Sequence, residues 1–394
     1  MAKQGKYDIT VFGSTGFTGE LTALYLAKKQ IIENFSLGIA GRDQKKLNLL
    51  KEKILQENPK SNVEIVVADI HNYTSLLEMC KQTKNLITTV GPYVEYGEDV
   101  VKACIEGESN YLDLTGEGKF VFEMSNRYQK SALEKKVKII NCCGFDSIPA
   151  DLGTYFTVTK LPSNEAIEIE CFVSVNGPGF ESVSGGTWHS ALGILSSNEM
   201  ERQKISYTSI QSKAGFSRIV SPIPLQIRLR EENKTYGLPL PFIDIEVVLR
   251  SAAELQEYGP NFSYGHYAAI PNTFMLIGSI LGAGALFGLS QFEFTRNLLK
   301  ELKKPGEGPK QEVREKTNFE LSFIGKSKSK IIKTKVTGGD PGYGDTSKML
   351  AESALCLLKD KIPERYGFIT PSISMGNLLI QRLDSIGIHF KEII

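Results

Sequence analysis

The chain has 394 residues, too many for one ordinary domain, so two domains are the expectation. With 41% hydrophobic and 23% charged residues it has the composition of a soluble globular enzyme, which excludes a disordered or fibrous chain. A formal net charge of +1 offers no basic surface for nucleic acid and no excess charge for an acidic partner.

The polar start Met1-Ala-Lys-Gln-Gly-Lys6 leads directly into a strand and leaves no room for a signal or transit peptide, so a cytoplasmic, non-secreted protein is expected. That strand, Tyr7-Asp-Ile-Thr-Val-Phe12, runs into Gly13-Ser14-Thr15-Gly16-Phe17-Thr18-Gly19. A helix follows, with Leu21, Leu24 and Ala27 on one face. Strand, glycine turn and helix place a dinucleotide pyrophosphate on a helix N-terminus. Gly13 serves the sharp turn, Gly16 the approach of the phosphates, and Gly19 the close packing of helix on strand.

The second strand, Ser36-Leu-Gly-Ile-Ala-Gly41, ends in Arg42-Asp43, about 20 residues beyond the glycines. An acidic residue there holds the ribose of NAD, whereas an arginine accommodates the 2′-phosphate of NADP. NADP(H) is therefore favoured over NAD(H). In the alternative, Arg42 is a solvated neighbour of a helix cap and Asp43 only caps the next helix.

A helix over 45–56 follows, with Leu47, Leu50 and Ile54 on one face. The pattern then predicts a strand over 63–69, a helix over 74–82, a strand over 85–90 and a helix over 98–106. A strand over 111–115, a helix over 119–136 and an apolar strand over 137–143 complete the set. Strands alternating with helices give a doubly wound parallel sheet, a Rossmann domain over 1–150. The six cysteines are scattered without metal-ligand spacing, so no metal is expected. They read as reduced, buried thiols, with Cys142-Cys143 inside the last strand.

Past Gly144 a crossover helix is expected over 146–156. Strands are expected over 166–176, 219–230 and 242–249, a helix over 188–197, and a hairpin over 318–325 and 330–336. These make a second, α+β domain over 151–340 with a mainly antiparallel sheet, for substrate or dimerisation. An amphipathic helix over 346–359 opens a tail, 341–394, expected to return toward the first domain. Within 272–290 the run Phe274-Met-Leu-Ile-Gly-Ser-Ile-Leu-Gly-Ala-Gly-Ala-Leu-Phe-Gly-Leu289 carries no charge. It is short for a bilayer span, which wants roughly 20 apolar residues. Its glycines make small-xxx-small pairs that can pack helices. A buried helix or hairpin, an apolar subunit contact of a homodimer, and a membrane or lipid-surface patch all remain open for it.

Ligands of a doubly wound sheet bind beyond the carboxyl ends of the strands. That selects Asp69 near the adenine and Val90-Gly91-Pro92 near the nicotinamide. Tyr93, Glu117, Asp146 and His189 are the candidate proton donors, His189 in the glycine turn Ser184-Gly-Gly-Thr-Trp-His-Ser190.

The segments Gly13-Ser-Thr-Gly-Phe-Thr-Gly19, Ala40-Gly-Arg42, Val90-Gly-Pro-Tyr93, Tyr111-Leu-Asp-Leu-Thr-Gly-Glu117 and Gly144-Phe-Asp-Ser-Ile-Pro-Ala-Asp151 together resemble the saccharopine dehydrogenase-like oxidoreductases. Ser184-Gly-Gly-Thr187, Gly306-Glu-Gly-Pro309 and Gly339-Asp-Pro-Gly-Tyr-Gly-Asp345 resemble the branch that holds trans-acting enoyl reductases. The resemblance implies NADP-linked reduction of lipid chains in glycolipid synthesis, with some members on membranes or lipid droplets. Three readings follow: an NADP-dependent reductase of a lipid-like enoyl or carbonyl compound, a saccharopine-type amino-acid dehydrogenase, and a non-catalytic NADP-binding protein on lipid surfaces.

Overall fold

The computed structural model describes residues 5–178, 192, 218–230, 235–302 and 308–393. The chain divides into two units, Met1–Ile148 with Tyr343–Leu383, and Pro149–Gly342 with Asp384–Ile394.

The first unit begins as strict alternation: β1 (Tyr7–Phe12), α1 (Phe17–Lys29), β2 (Leu37–Gly41), α2 (Gln44–Glu57), β3 (Val63–Val67), α3 (Tyr73–Lys81), β4 (Thr83–Thr88), α4 (Tyr93–Glu106), β5 (Asn110–Leu112), α5 (Gly118–Glu134) and β6 (Lys138–Ile140). β2 is apolar, and it and nearly all of β1 are buried on both faces, the signature of a parallel sheet covered by helices. α2 shows how the local sequence works. Asp43 accepts from the Lys45 and Lys46 amides at 2.9 and 3.1 Å, a cap worth about 1 kcal/mol. Leu47, Leu50 and Ile54 turn inward, and the lysines face water.

β6 stops at Ile140, short of the strand over 137–143 that the apolar run suggests. Cys142 lies at φ +62°, a left-handed conformation that ends an extended chain. Cys142 and Cys143 are buried, but in the loop beyond the strand.

The second unit opens with α6 (Ile148–Val158) and β7 (Ile167–Asn176). β8 (Ile219–Pro222), β9 (Arg228–Arg230), β10 (Thr235–Pro239), α7 (Ile243–Glu254), β11 (Asn261–Ile270), α8 (Thr273–Ser290), α9 (Glu293–Glu301), α10 (Gln311–Glu315), β12 (Asn318–Lys326) and β13 (Ile331–Gly338) follow. The chain then returns to the first unit with α11 (Gly344–Lys359), β14 (Gly367–Phe368), α12 (Pro371–Ser374) and α13 (Gly376–Asp384). It ends in the second unit with β15 (His389–Ile393).

Seven parallel strands in the order β14-β6-β5-β4-β1-β2-β3 form the first sheet. The order reverses around β1, which makes the carboxyl edge beside β1 and β4 its ligand crevice. The second sheet is mixed and mostly antiparallel, in the order β15-β13-β12-β7-β11-β10-β9 with β8 added to β11. The structure is α/β overall, with a Rossmann-type sheet in one unit and an α+β arrangement in the other.

Three expectations for the second unit need correction. The stretch 243–249 is helical, within α7, and Phe242 is its N-cap. Ten of the twelve α7 residues are buried, so no polar stripe breaks its sequence and the Ile-x-Ile-x-Val spacing imitates a strand. The single strand over 219–230 is two, β8 and β9, because Pro222 and Pro224 lack the amides a continuous ladder needs. The segment 272–290 is a single helix, and only 11% of it is buried, so neither a core helix nor a hairpin accounts for it.

Candidate functional site

The glycine turn lies at the switch point. Gly13 sits at φ +85°, and a Cβ there would meet Thr89 Oγ1 at 2.7 Å and Val90 Cγ2 at 2.8 Å. A Cβ on Gly19 would lie 2.2 Å from the Gly13 carbonyl oxygen, so no side chain fits where α1 crosses the turn. Gly16 is different. It is exposed, and its Cβ would touch only that carbonyl, at 3.3 Å, with open space beyond. Gly16 is also the N-cap of α1 and supplies no side-chain cap, so the positive helix end faces that space. An uncapped helix end under an absent side chain fits a pyrophosphate.

Ser14 does not face outward. It is buried, and its hydroxyl donates to the Ala40 carbonyl at 3.1 Å, which ties the turn to β2. Thr15 Oγ1 lies 3.8 Å from the Cβ position of Gly41, so the turn borders the end of β2. Thr18 is half-buried in the first turn of α1, where its carbonyl accepts from Thr22 Oγ1 at 2.8 Å. Arg42, next along β2, is exposed and makes no hydrogen bond or ion pair among the described residues. Asp69, beyond β3, accepts from the His71 amide at 3.1 Å and donates its own amide to Ser75 Oγ at 3.0 Å.

After β4, Thr89 Oγ1 donates to the Gly13 carbonyl at 3.2 Å, and Val90, Gly91 and Pro92 lead to the start of α4. Tyr93 and Glu117 are engaged structurally. The Tyr93 hydroxyl is buried and donates to the Thr88 carbonyl at 3.1 Å, and burial pushes its acidity far toward the neutral form. Glu117 caps α4, its two oxygens accepting from the Tyr93 amide at 2.9 Å and the Val94 amide at 2.8 Å. A carboxylate is stabilised at that helix end.

Asp146 is half-buried after β6, with Oδ2 3.4 Å from the Cβ position of Gly116, so the loops after β5 and β6 adjoin. His189 lies outside the described residues, as do Ser184-Gly-Gly-Thr187 and the helix expected over 188–197, apart from Leu192.

Two further contributors adjoin these residues, both within or next to segments that carry the family resemblance. Asp113 is fully buried and accepts from the Tyr111 hydroxyl at 2.8 Å, Asn141 Nδ2 at 2.7 Å, the Cys142 amide at 2.9 Å and the Thr115 amide at 3.1 Å. It stitches the ends of β5 and β6 together. Burial nevertheless raises its carboxyl to about 6, because desolvation outweighs these donors. The second is the start of α11. The Tyr343 ring meets Phe17 edge-on at 4.5 Å, and Thr346 Oγ1 accepts from the Phe145 amide at 3.0 Å. The start of α11 thus joins the glycine turn and the loop after β6 on one edge. The signal was the glycine-rich Gly339-Asp-Pro-Gly-Tyr-Gly-Asp345 entering a helix.

Residues 9–140 match the saccharopine dehydrogenase NADP binding domain. The chain is 32% identical to the mouse saccharopine dehydrogenase-like oxidoreductase, covering 99% of this chain and 98% of that one. It is 31% identical to a proposed trans-acting enoyl reductase of Mycobacterium tuberculosis, over 98% and 97%. Identity to a lipid droplet localized protein of Caenorhabditis elegans is 30%, over 98% of both chains. The fold is that of the apo saccharopine dehydrogenase (L-Glu forming) of Saccharomyces cerevisiae, at TM-score 0.55 and 11% identity over 98% of this chain and 100% of that one. With the glycine turn fitted to a pyrophosphate and near-full-length relatives of this identity, the chain belongs to the saccharopine dehydrogenase-like oxidoreductases and is an NADP-dependent enzyme.

Proposed function

We propose that this oxidoreductase reduces an enoyl or carbonyl group on an apolar, lipid-like substrate and does so at a lipid surface. The observation that carries the reading is α8 in the second unit, an uncharged helix left exposed along its length. An amino-acid substrate such as saccharopine calls for charged partners and has no use for such a helix. The relatives named for enoyl reduction and for lipid droplets support the same direction.

Bound NADPH supplies the hydride, and the reduced double bond takes up one proton to balance it. In this reading the uncapped start of α1, with Gly13, Gly16 and Gly19, receives the pyrophosphate. Ser14 and Thr15 shape the turn, and Phe17 and Thr18 begin the helix over it. Arg42 takes the 2′-phosphate, Asp69 borders the adenine, and Val90-Gly91-Pro92 backs the nicotinamide. Tyr93 and Glu117 hold the start of α4 and its loop. Asp146, whose Oδ2 lies beside Gly116 where the loops after β5 and β6 adjoin, is the proposed proton donor.

The test is NADPH oxidation by the full-length protein with long-chain enoyl thioesters, long-chain ketones and saccharopine. Oxidation is expected with the first two classes only. Turnover confined to saccharopine would replace the proposal with the amino-acid dehydrogenase reading.

A further inference from the structure

We propose that α8 and α9 form a one-sided anchor, seated in a single leaflet of lipid and returning the chain to the side from which it entered. The inference rests on the lipid-surface reading above and adds the topology.

The first step is the identity of the occupant. Successive helical residues turn by about 100°. Phe274, Met275, Ile277, Ile280, Leu281 and Phe287 of α8 are all more than 40% exposed, and they point round its whole circumference. Within the helix only Leu276 and Ser290 are buried. Gly278, Gly282, Gly284 and Gly288 have nothing within 4 Å of their Cβ positions, so the small-residue rows pack against no other element. A protein partner or a second copy covers one face of a helix. A helix apolar all round needs an apolar solvent around it.

The ends are fitted for an interface. At the start, Asn272 caps the helix, accepting from the Met275 amide at 2.9 Å, and Tyr236 shares a 2.9 Å hydrogen bond with Thr273. At the finish, Arg296 Nη1 donates to the Ser290 carbonyl at 3.3 Å. Tyrosine and arginine are residues that settle where acyl chains meet water. α9 carries exposed Phe294 and Leu298, with exposed Leu302 as its C-cap, beside Glu293 and Arg296, the make-up of a helix lying in the interface plane.

The second step is topology. The 18 residues of α8 make a rod of about 27 Å, close to the roughly 30 Å of a bilayer core. Length alone therefore permits a span, but connectivity opposes it. α8 leaves from β11 and the chain comes back to β12, and both strands pair with β7 in one sheet. After a span the chain would have to recross within 291–317. That stretch includes Arg296, Lys300, Glu301, Lys303 and Lys304, each costing about 3 kcal/mol or more in the hydrocarbon. α9, with 9 residues, reaches only about 14 Å. Entry and exit on the same side satisfy both the sheet and the charges.

Because the six native cysteines are all buried, a membrane-impermeant maleimide reads an introduced thiol alone. Pro271→Cys and Glu293→Cys flank α8. Each is bound, in the full-length protein, to phosphatidylcholine vesicles and to triolein droplets coated with a phosphatidylcholine monolayer. Both thiols are expected to react fully in intact vesicles, and flotation is expected with droplets as well as vesicles. Ile277→Lys combined with Leu281→Lys is expected to lower the bound fraction at least about tenfold with NADPH binding retained, which reports the fold. Protection of Glu293→Cys until the vesicles are lysed, or binding to vesicles without binding to droplets, overturns the one-leaflet anchor and leaves the lipid-surface reading standing. Failure to float with either, with or without a dimer formed through α8, overturns both.

Discussion

At the scale of single residues, the two charges that follow β2 differ in their partners. Asp43 is committed to its own helix, where it accepts two amides. Arg42 is left exposed with its guanidinium uncommitted. In the proposed reading, this planar, permanent cation discriminates the phosphate of NADP from the bare hydroxyl of NAD. Arg42→Glu removes a charge-assisted contact of about 1.5–3 kcal/mol, so NADPH affinity is expected to fall roughly 10- to 100-fold while NADH affinity holds. Fluorescence titration of both nucleotides reads the ratio, and an unchanged ratio removes Arg42 from the phosphate. The glycine turn and the charges after β2 were legible in sequence because they are set by local backbone and charge. Sequence could not carry the fates of Tyr93 and Glu117. A tyrosine or glutamate in a strand-end loop looks the same on paper whether it faces a substrate or satisfies a neighbouring carbonyl or helix end.

At the scale of elements, β5 and β6 are short strands whose loops are held by one carboxyl. In the folded protein Asp113 titrates at about 6, above the ordinary 3.8. Between those values the folded protein keeps a proton that the unfolded chain has released. The stabilising effect is therefore complete below about pH 4 and is lost as pH rises through about 6, a change of roughly 3 kcal/mol. Asp113→Asn is expected to flatten that slope in urea unfolding between about pH 4 and pH 7. Parallel slopes for the two proteins would show that Asp113 is not the titrating group. The elements that sequence placed well are those with a surface to read. α2 shows a stripe, and β12 and β13 alternate. Those it missed are submerged. β11 is buried through its middle with Gly265 at its centre, and α7 is buried almost all round, so neither displays its period.

At the scale of the whole molecule, the first unit is completed by a segment from far along the chain. Glu352 of α11 is fully buried and takes the Tyr25 hydroxyl at 2.6 Å, Lys29 at 2.7 Å and Arg382 at 3.1 Å. Arg382 also pairs with Glu33 and Asp360. α1 therefore depends on α11 and α13 for both its packing and its charge balance. A fragment ending at residue 148 matches the cofactor domain by sequence, yet it leaves those groups and the outer edge of β6 uncovered. It is expected to show no cooperative thermal transition by circular dichroism. A melt within about 5 °C of the full-length protein would refute that dependence.

The same arrangement sets a timetable for the newborn chain. β14 lies against β6, with Gly367 opposite Lys138, but it leaves the ribosome only after the whole of α6 through β13 has been made. Until then the six-stranded sheet waits with one flank bare, an edge that invites wrong pairing. The part of the protein that announces itself first in the sequence is thus completed only after the strands of the second unit from β7 to β13 have been made.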